Sequence, residues 1–125
     1  MIDHTGVVVS DIERRKAFYL AAFEPIGYAM LLEIAASVTG HADVAGFGEA
    51  PKPDFWISSG SPNKPPVHVA IRVAQRLMVD ALHHAAGGAD NGAPGPRPHH
   101  HPNCHGGFVR GPDGHDIEAA CHEPA

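Results

Sequence analysis

The N-terminal part of the chain places a valine-rich run ahead of an amphipathic stretch. Ile2 to Val9 has the composition of a β-strand. Ser10 and Glu13 fit a capping box, with Ser10 as the N-cap and Glu13 reaching back to it, which predicts a helix from this point. Pro25 and Gly27 end that helix. Its apolar face comprises Ile12, Tyr19, Ala22 and Phe23.

Further along the first half, apolar runs are separated by segments rich in glycine and proline. Tyr28 to Val38 is apolar and fits one or two strands. Gly40 to Pro53 predicts a connection with room for a short strand at Val44 to Phe47. Asp54 to Ser58 predicts another strand, and Ser59 to Pro66, with three prolines and two serines, predicts a linker.

The same pattern starts again in the second half. Val67 to Val73 predicts a strand, and Ala74 to Ala86 predicts a helix. The helix residues expected to face inward are Leu77, Met78, Ala81, Leu82 and Ala85. Asp90 to Asn103, with its Gly, Pro and His residues, predicts a long loop. Two closing strands and the turn between them are expected at Gly106 to Arg110, His115 to Cys121 and Gly111 to Gly114.

Both halves therefore share one order of elements: a strand, a helix and further strands. His4 and His68 lie 64 residues apart, and each stands six residues before the start of its helix. Matching frames of this kind indicate an internal duplication. We expect a single α+β domain over residues 1–125, with modules of about 1–60 and 66–125 and a linker at about 59–66.

Composition narrows the class of protein. With 125 residues, of which 43% are hydrophobic, the chain is long enough to bury a core as one globular domain. A formal net charge of -5 offers no basic stripe to a nucleic acid, so that partner is excluded. Cys104 and Cys121 are too few for a disulfide scaffold. No signal-peptide pattern or membrane-spanning run is present, so we expect a cytoplasmic protein with no membrane partner.

Three residues of metal-binding type, His4, His68 and Glu118, lie in three of the predicted strands. Because residues two apart share a face of a strand, we place all three on polar faces, opposite the positions that pack inward. Two imidazoles and one carboxylate are a sufficient donor set for a divalent metal that keeps open positions for substrate. The set suits Fe(II), Mn(II), Ni(II) or Zn(II), and the sequence does not choose among them.

Several stretches are typical of one known superfamily. The opening Ile2 to Asp11 with Phe18-Tyr19, and the closing Phe108 to Glu118, are similar to the two ends of vicinal oxygen chelate proteins. That superfamily includes glyoxalase I, bleomycin resistance proteins and extradiol dioxygenases. Asn91 to Arg97 is similar to its glyoxalase-like bacterial branch. The resemblance covers nearly the whole chain.

This resemblance implies two βαβββ modules that form half-open curved sheets around a cleft, the glyoxalase/bleomycin resistance/dihydroxybiphenyl dioxygenase fold. It implies that His4, His68 and Glu118 match three of the family's metal-binding places. The expected protein is a glyoxalase-like metalloprotein, a homodimer that chelates a small oxygen-bearing substrate to a divalent metal for lyase or isomerase chemistry. Whether His4 and His68 meet within a chain or between two chains stays open.

The family's fourth metal-binding place is expected on the last strand of the first module. Aligning Asp54-Phe55-Trp56 with Asp116-Ile117-Glu118 puts Trp56 there, whereas a fixed offset of 64 puts Asp54 there instead. We favour Trp56, because Asp54 follows Pro53 at the start of the strand. Trp cannot ligate a metal, so this departure weakens the case for glyoxalase I chemistry. The indole would line the cleft and stack on a flat substrate.

Other site residues are expected around the trio. Glu118 could double as a proton shuttle, and His105 could act as a general base near neutral pH. Arg72 shares the face of His68 and could bind a substrate carboxylate or phosphate. His99-His100-His101 with Cys104 and His105 could suggest a second metal site, but the spacing matches no zinc motif. We therefore expect a solvent-exposed loop, and a cleft-lining role for His100 or His105 is the next alternative. The predicted substrate-binding residues are Trp56, Arg72, His100 and Phe108.

Two other functions remain as alternatives. An Fe(II) extradiol-type dioxygenase uses the same ligand set but also needs a second-sphere His and a Tyr, and the strand with Phe108 offers no Tyr. A metal-free protein that binds a small aromatic or antibiotic molecule would suit Phe55 and Trp56 in the cleft. Bound metal separates this binding protein from the two enzymes, and oxygen uptake with a catechol separates the dioxygenase from the glyoxalase-like protein.

Overall fold

The fold is described from a computed structural model, which covers residues 1–86, 89–96 and 105–123. The first module comprises β1 (Thr5–Val9), α1 (Ile12–Phe23), β2 (Ala29–Ile34), α2 (Ala36–Thr39), β3 (Val44–Gly48) and β4 (Phe55–Ser59). The second comprises β5 (His68–Arg72), α3 (Arg76–Ala86), β6 (Ala89–Pro96), β7 (His105–Arg110) and β8 (Asp116–Cys121). The expected α+β architecture is confirmed.

Each module contains one four-stranded sheet, and the two sheets have the same topology. The strand orders are β1-β4-β3-β2 and β5-β8-β7-β6. The first strand of each module pairs in parallel with the last one, and the other pairs are antiparallel. This arrangement leaves β1 and β2 as the edge strands of the first sheet and β5 and β6 as those of the second, and it repeats the order of elements that indicated a duplication.

Helices α1 and α3 pack against each other and against one face of each sheet. Alternate strand residues are buried beneath them, as period-2 alternation requires. In the first module an aromatic cluster of Tyr19, Phe23, Phe47 and Phe55 fills this layer, with ring centroids 5.3 to 6.2 Å apart. The opposite, helix-free faces of both sheets therefore carry the remaining strand side chains.

The start of α1 differs from the predicted capping box. Asp11, and not Ser10, is the N-cap, and its side chain accepts a hydrogen bond from the Arg14 N–H. Ser10 instead donates from its hydroxyl to Asp113 at 2.6 Å, in the turn between β7 and β8. Asp and Ser are about equally good N-caps, so local propensity could not choose between them.

Two further element predictions were wrong in detail, and one was incomplete. Asp90 to Asn103 was expected to be a loop, but Ala89–Pro96 forms β6, and 97–104 lies outside the described residues. Tyr28 to Val38 holds one strand, β2, as expected, but the short helix α2 that follows it was not predicted. In α3 the buried residues are Val79, Leu82 and Ala86, whereas Leu77 is exposed.

The modules are joined by buried polar contacts at their seam. His115 is fully buried; its Nδ1 accepts from the Val67 N–H at 3.0 Å, and its Nε2–H donates to the Val8 carbonyl at 2.9 Å. Asp113 accepts from Arg15 Nε at 2.8 Å as well as from Ser10. In the part of the chain that is described, no helix is both long and apolar enough to cross a membrane.

Candidate functional site

Two neighbouring grooves lie on the side of the molecule that carries His4. The seam groove, about 490 Å³, runs between β1 and β5 and is lined by His4, Tyr28, Asp54, His68 and Arg72, among others. The Trp56 groove, about 390 Å³, lies on the first sheet and is lined by His4, Gly6, His41, Trp56 and Ser58, among others. His4 and Thr5 border both grooves, so the two grooves meet at the start of β1.

His68 and Glu118 form a close pair on the helix-free face of the second sheet. His68 is the first residue of β5 and Glu118 lies on β8, its parallel neighbour. The His68 Nε2 lies 3.3 Å from the Glu118 Oε1, and the Glu118 side chain is only 7% exposed. A carboxylate this buried needs a proton, a cationic partner or a metal ion to offset the cost of desolvation.

Asp116 holds His68 from the other side. The His68 Nδ1–H donates to Asp116 Oδ2 at 2.9 Å, because the register of β5 and β8 places the two residues opposite each other. A carboxylate behind a ligating imidazole fixes the ring and its tautomer, and this is the usual support for a metal-binding histidine. His68 thus lies between two carboxylates, with Asp116 at its Nδ1 and Glu118 at its Nε2.

The spacing of these two donor atoms fits a metal ion. Donors bound to one ion at about 2.0–2.2 Å lie about 3.3–3.6 Å from each other in tetrahedral geometry and about 2.8–3.1 Å in octahedral geometry. The 3.3 Å between His68 Nε2 and Glu118 Oε1 matches the tetrahedral spacing. The donor types, imidazole and carboxylate, also suit Zn(II), Mn(II), Ni(II) or Fe(II).

His4 lies apart from this pair, in front of β1. Its Nδ1–H donates to Asp3 Oδ2 at 2.7 Å, and Lys52 also pairs with Asp3 at 3.0 Å. The hydrogen bonds from His4 and Lys52 lower the pKa of the Asp3 carboxyl. His4 is more than half exposed, so its imidazole is accessible from solvent.

The predicted trio does not come together within one chain. His4 and His68 line the same seam groove. Nevertheless, among the described residues, no three or more His, Cys, Asp or Glu side chains are grouped closely enough to hold a metal ion. The structure thus brings together two of the three predicted ligands, His68 and Glu118, and leaves His4 outside the pair.

The strand register settles which residue of β4 is equivalent to Glu118. Glu118 pairs with Ala70, two residues after His68. Trp56 pairs with Gly6, two residues after His4. Trp56 therefore occupies the equivalent place, as the alignment of the two strands predicted, and Asp54 is equivalent to Asp116. The two aspartates are used differently, since Asp54 accepts a hydrogen bond from the Tyr28 hydroxyl at 2.7 Å.

Among the other predicted site residues, His105 needs a correction. It opposes Cys121 in the β7–β8 ladder, and Cys121 is buried in the core beneath the helices. Its Nε2 lies 3.3 Å from Asp80 Oδ1 of α3. His105 is therefore on the helix side of the sheet, opposite Glu118, and we leave it out of the catalytic group.

The remaining substrate-binding predictions fall in different places. Trp56 is half-buried and lines the Trp56 groove. Arg72 is exposed at the rim of the seam groove, 3.7 Å from Glu123. Phe108 pairs with Glu118 in the β7–β8 ladder. His100 and the rest of His99-His100-His101 lie outside the described residues.

Three groove or pair residues were not foreseen as site residues. The sequence places Asp116 on the same face of its strand as Glu118, but no feature of the neighbouring sequence distinguishes it from a solvent-exposed acid. His41 follows α2 and lines the Trp56 groove. Tyr28 lines the seam groove, and burial together with its hydrogen bond to Asp54 raises the pKa of its phenol, which stays protonated as a donor. The duplication was the one signal that could have found Asp116, through its equivalence to Asp54.

The fold is shared with several solved proteins. A glyoxalase/bleomycin resistance protein from Albidiferax ferrireducens superposes with a TM-score of 0.75 at 22% identity, over 95% of this chain and 97% of that one. The fosfomycin resistance protein FosX from Listeria monocytogenes, complexed with Mn(II) and sulfate, gives 0.65 at 14% identity, over 97% and 91%. A glyoxalase I variant from Zea mays gives 0.70 at 18% identity, over 99% of this chain and 45% of that one.

These likenesses are structural only. No sequence model of a protein family matches the chain, and no curated protein matches it either. The neighbours nevertheless agree with the two repeated sheets, the helix layer and the resemblance carried by the two ends of the sequence. The chain has the fold of the glyoxalase/bleomycin resistance proteins.

Proposed function

We propose that this protein binds a divalent metal ion through His68, Glu118 and His4 and chelates a small oxygen-bearing substrate to it. The observation that carries the proposal is the pair itself, with His68 Nε2 and Glu118 Oε1 3.3 Å apart and Asp116 behind His68. The Mn(II) in the FosX complex, which has the same fold, supports a divalent ion.

Within this site each residue has a distinct role. The metal, when bound, would polarise a substrate oxygen and stabilise negative charge that develops there. Asp116 keeps the imidazole of His68 oriented through its hydrogen bond. Glu118, buried beside His68, excludes water from one side of the ion and could carry a proton between substrate positions. Arg72, at the rim of the seam groove, could bind an anionic group of the substrate.

The third ligand would come from a second copy of the chain. His4 lies on the first module and outside the His68–Glu118 pair, so within the described residues one chain offers the ion two protein ligands. A two-fold homodimer would place the helix-free face of a first module opposite that of a second module and would form two equivalent sites. The exposed Leu32 side chain, 48% accessible on the first sheet, would be covered by such a contact.

Metal content tests the ligand set. Protein purified without a His tag or metal column is expected to hold about one metal per chain, and His4→Ala and Glu118→Ala are each expected to lose it. His84→Ala is the matched control, since His84 is an exposed histidine at the end of α3, away from both grooves. Metal that survives both ligand substitutions, or no metal in the wild type, would exclude the proposed site.

A mixed dimer tests whether the site is shared between copies. We would co-express His4→Ala and Glu118→Ala chains with two different tags that bind no metal and isolate the heterodimer. If the site is shared, one of its two sites keeps all three ligands, and the heterodimer binds one metal. If the site lies within a chain, both sites lack a ligand, and the heterodimer binds none.

A metal-free binding protein is the second candidate. It is favoured by Trp56, which stands in the frame of Glu118 in the first module and cannot ligate a metal. This function predicts small-molecule binding that is unchanged when His68 and Glu118 are both substituted. The elemental analysis above separates it from the metalloprotein.

A further inference from the structure

The Trp56 side chain packs closely against Gly46 of β3. A Cβ at position 46 would lie 2.9 Å from Cζ3 and 3.0 Å from Cη2 of the indole, and 2.9 Å from the Pro53 Cβ. Any side chain larger than hydrogen at this position would therefore collide with the ring. Gly46 allows the six-membered part of the indole to lie on the backbone of β3, and Pro53 borders it.

The exposed part of the indole lines the Trp56 groove. Gly6, its neighbour on β1, also has no side chain, and a Cβ there would meet the Trp56 backbone at 3.1 Å. The groove of about 390 Å³ is lined by Gly6 and Trp56, with His4 and Ser58 among its polar residues. The result is an aromatic surface beside the proposed ligand His4.

From this geometry we infer that the protein takes a planar, conjugated substrate that stacks on Trp56 while its oxygen atoms are directed towards His4. Trp56 is then a specificity-determining residue, and Gly46 is the residue that positions it. The inference rests on the proposed function for the direction of the oxygen atoms. The preference for a flat ring rests on Trp56 and Gly46 alone.

A flat ligand is favoured over an aliphatic one for two reasons. A planar π-system gains from offset stacking on an indole beyond the area it buries, whereas a puckered ring meets the same surface through fewer atoms. In addition, the first module has the uncharged Trp56 at the position where the second module has the Glu118 carboxylate. An electron-rich ring can approach the indole without meeting a fixed negative charge there.

The experiment uses the fact that Trp56 is the only tryptophan of the chain, so indole fluorescence reports this groove alone. The probes are catechol and trans-1,2-cyclohexanediol, which have the same heavy-atom composition and vicinal oxygens but differ in planarity. We would titrate each into the full-length protein, once as purified and once after dialysis against a chelator. Heat of binding is measured in parallel, because it can also be followed in variants without tryptophan.

The expected result is that catechol binds about three- to tenfold more tightly than the cyclohexanediol, which is the size of one stacking contact. Trp56→Phe should keep most of that preference, and Trp56→Leu should remove it. Gly46→Val should displace the indole and weaken catechol binding, with a shift in Trp56 emission. A thermal unfolding curve for each variant confirms that it folds.

The two proposals can fail separately. A planar preference that depends on Trp56 and persists after the chelator, in protein that never holds metal, keeps this inference and removes the metal site. A metal that is bound by the expected ligands, with equal affinity for both probes, keeps the proposed function and overturns this inference. Fluorescence and heat that respond to neither probe would also overturn it.

Discussion

Asp113 offers the sharpest test of how the two modules are held together. It lies in the turn between β7 and β8 of the second module and bonds the start of α1 in the first. Its carboxylate accepts from the Ser10 hydroxyl at 2.6 Å and from Arg15 Nε at 2.8 Å. The side chains of Asp113 and Arg15 are only 6% and 16% exposed. Asp113→Ala therefore leaves a largely buried guanidinium without its carboxylate.

The magnitude follows from this burial. Removing one partner of a buried ion pair costs about 3–5 kcal/mol, and a hydrogen bond to a charged group contributes about 1.5–3 kcal/mol. Because Arg15 keeps some access to water, we expect Asp113→Ala to lower the free energy of unfolding by about 3 kcal/mol. Asp113→Asn keeps an acceptor for Ser10 but loses the charge, so about half that loss is expected.

The pH dependence of this difference has a fixed sign. Burial raises the pKa of Asp113, but the hydrogen bonds from Arg15 and Ser10 outweigh it, and the pKa is lowered from its ordinary value of 3.8. The folded state thus favours the ionised form. The stabilisation is fully present above the unfolded pKa and is lost as the pH falls through the lower folded pKa.

The assay is urea unfolding of wild type, Asp113→Ala and Asp113→Asn between pH 8 and pH 3, followed by Trp56 fluorescence and by circular dichroism. Glu13→Ala is the matched control, because Glu13 is an exposed acid that pairs with Lys16 on the same helix. It should cost less than about 1 kcal/mol. A loss below about 1 kcal/mol for Asp113→Ala, or an Asn difference that is unchanged down to pH 3, would refute the reasoning.

Two further predictions concern histidine side chains and the groups that hydrogen-bond to them. Asp116→Ala should weaken Zn(II) binding about 10- to 100-fold by isothermal titration, because His68 loses the group that orients it. Asp116→Asn should recover part of the affinity, and Asp54→Asn, the equivalent change in the first module, should leave it unchanged; equal affinity in all three would contradict the role of Asp116. His115→Ala should lower the free energy of unfolding by about 2–5 kcal/mol, because two buried backbone groups lose their partner, and His115→Gln should recover part of this. Unfolding curves for both variants that match the wild type would contradict the seam contact.

Strand pattern and duplication predicted the core architecture because each depends on local alternation of residues. Valine-rich runs with a buried alternate set, such as β1 and β5, were found within a few residues of their true ends. The turn at Gly111 to Gly114 formed as expected, with the Gly114 N–H bonded to the Gly111 carbonyl. These features need no information about distant residues.

The errors have a different origin, since each depends on tertiary position. β6 contains Pro94 and Pro96, which argue against a strand, but β6 lies at the edge of its sheet, where a missing N–H breaks no ladder. The inward face of α3 was misjudged because α3 carries apolar residues on more than one side, and its packing against α1 and the second sheet decides that Val79, Leu82 and Ala86 are buried. His105 was placed by proximity to the cleft motif, whereas its strand register directs it to the helix side.

The candidate site could likewise be predicted only as far as it depends on local sequence. The sequence suggested His4, His68 and Glu118 as one group of ligands, and the register of β4 gave Trp56 its equivalent position, but no local pattern could show that His4 lies apart from the other two. Pairing of β5 with β8 brings His68 close to Glu118, because Glu118 pairs with Ala70, two residues from His68 on the same face of the sheet. β1 and β5 belong to different sheets, so no strand pairing brings His4 to His68.

The two modules carry different residues at their equivalent positions, and this difference bears on the proposed function. In the second module the equivalent positions hold His68, Asp116 and Glu118, a donor pair with its supporting carboxylate. In the first module they hold His4, Asp54 and Trp56, where the aspartate bonds Tyr28 and the place of the carboxylate carries an indole.

A site made from two second modules would have four strong ligands and no surface for a ring. A site made from two first modules would have a ring surface and two histidines. Combining one of each would give three ligands, an open position and a stacking surface beside it. The proposed shared site would therefore need both modules, each with its own set of residues. It also makes the mixed dimer of His4→Ala and Glu118→Ala decisive, because only a shared site lets two defective chains restore one intact centre.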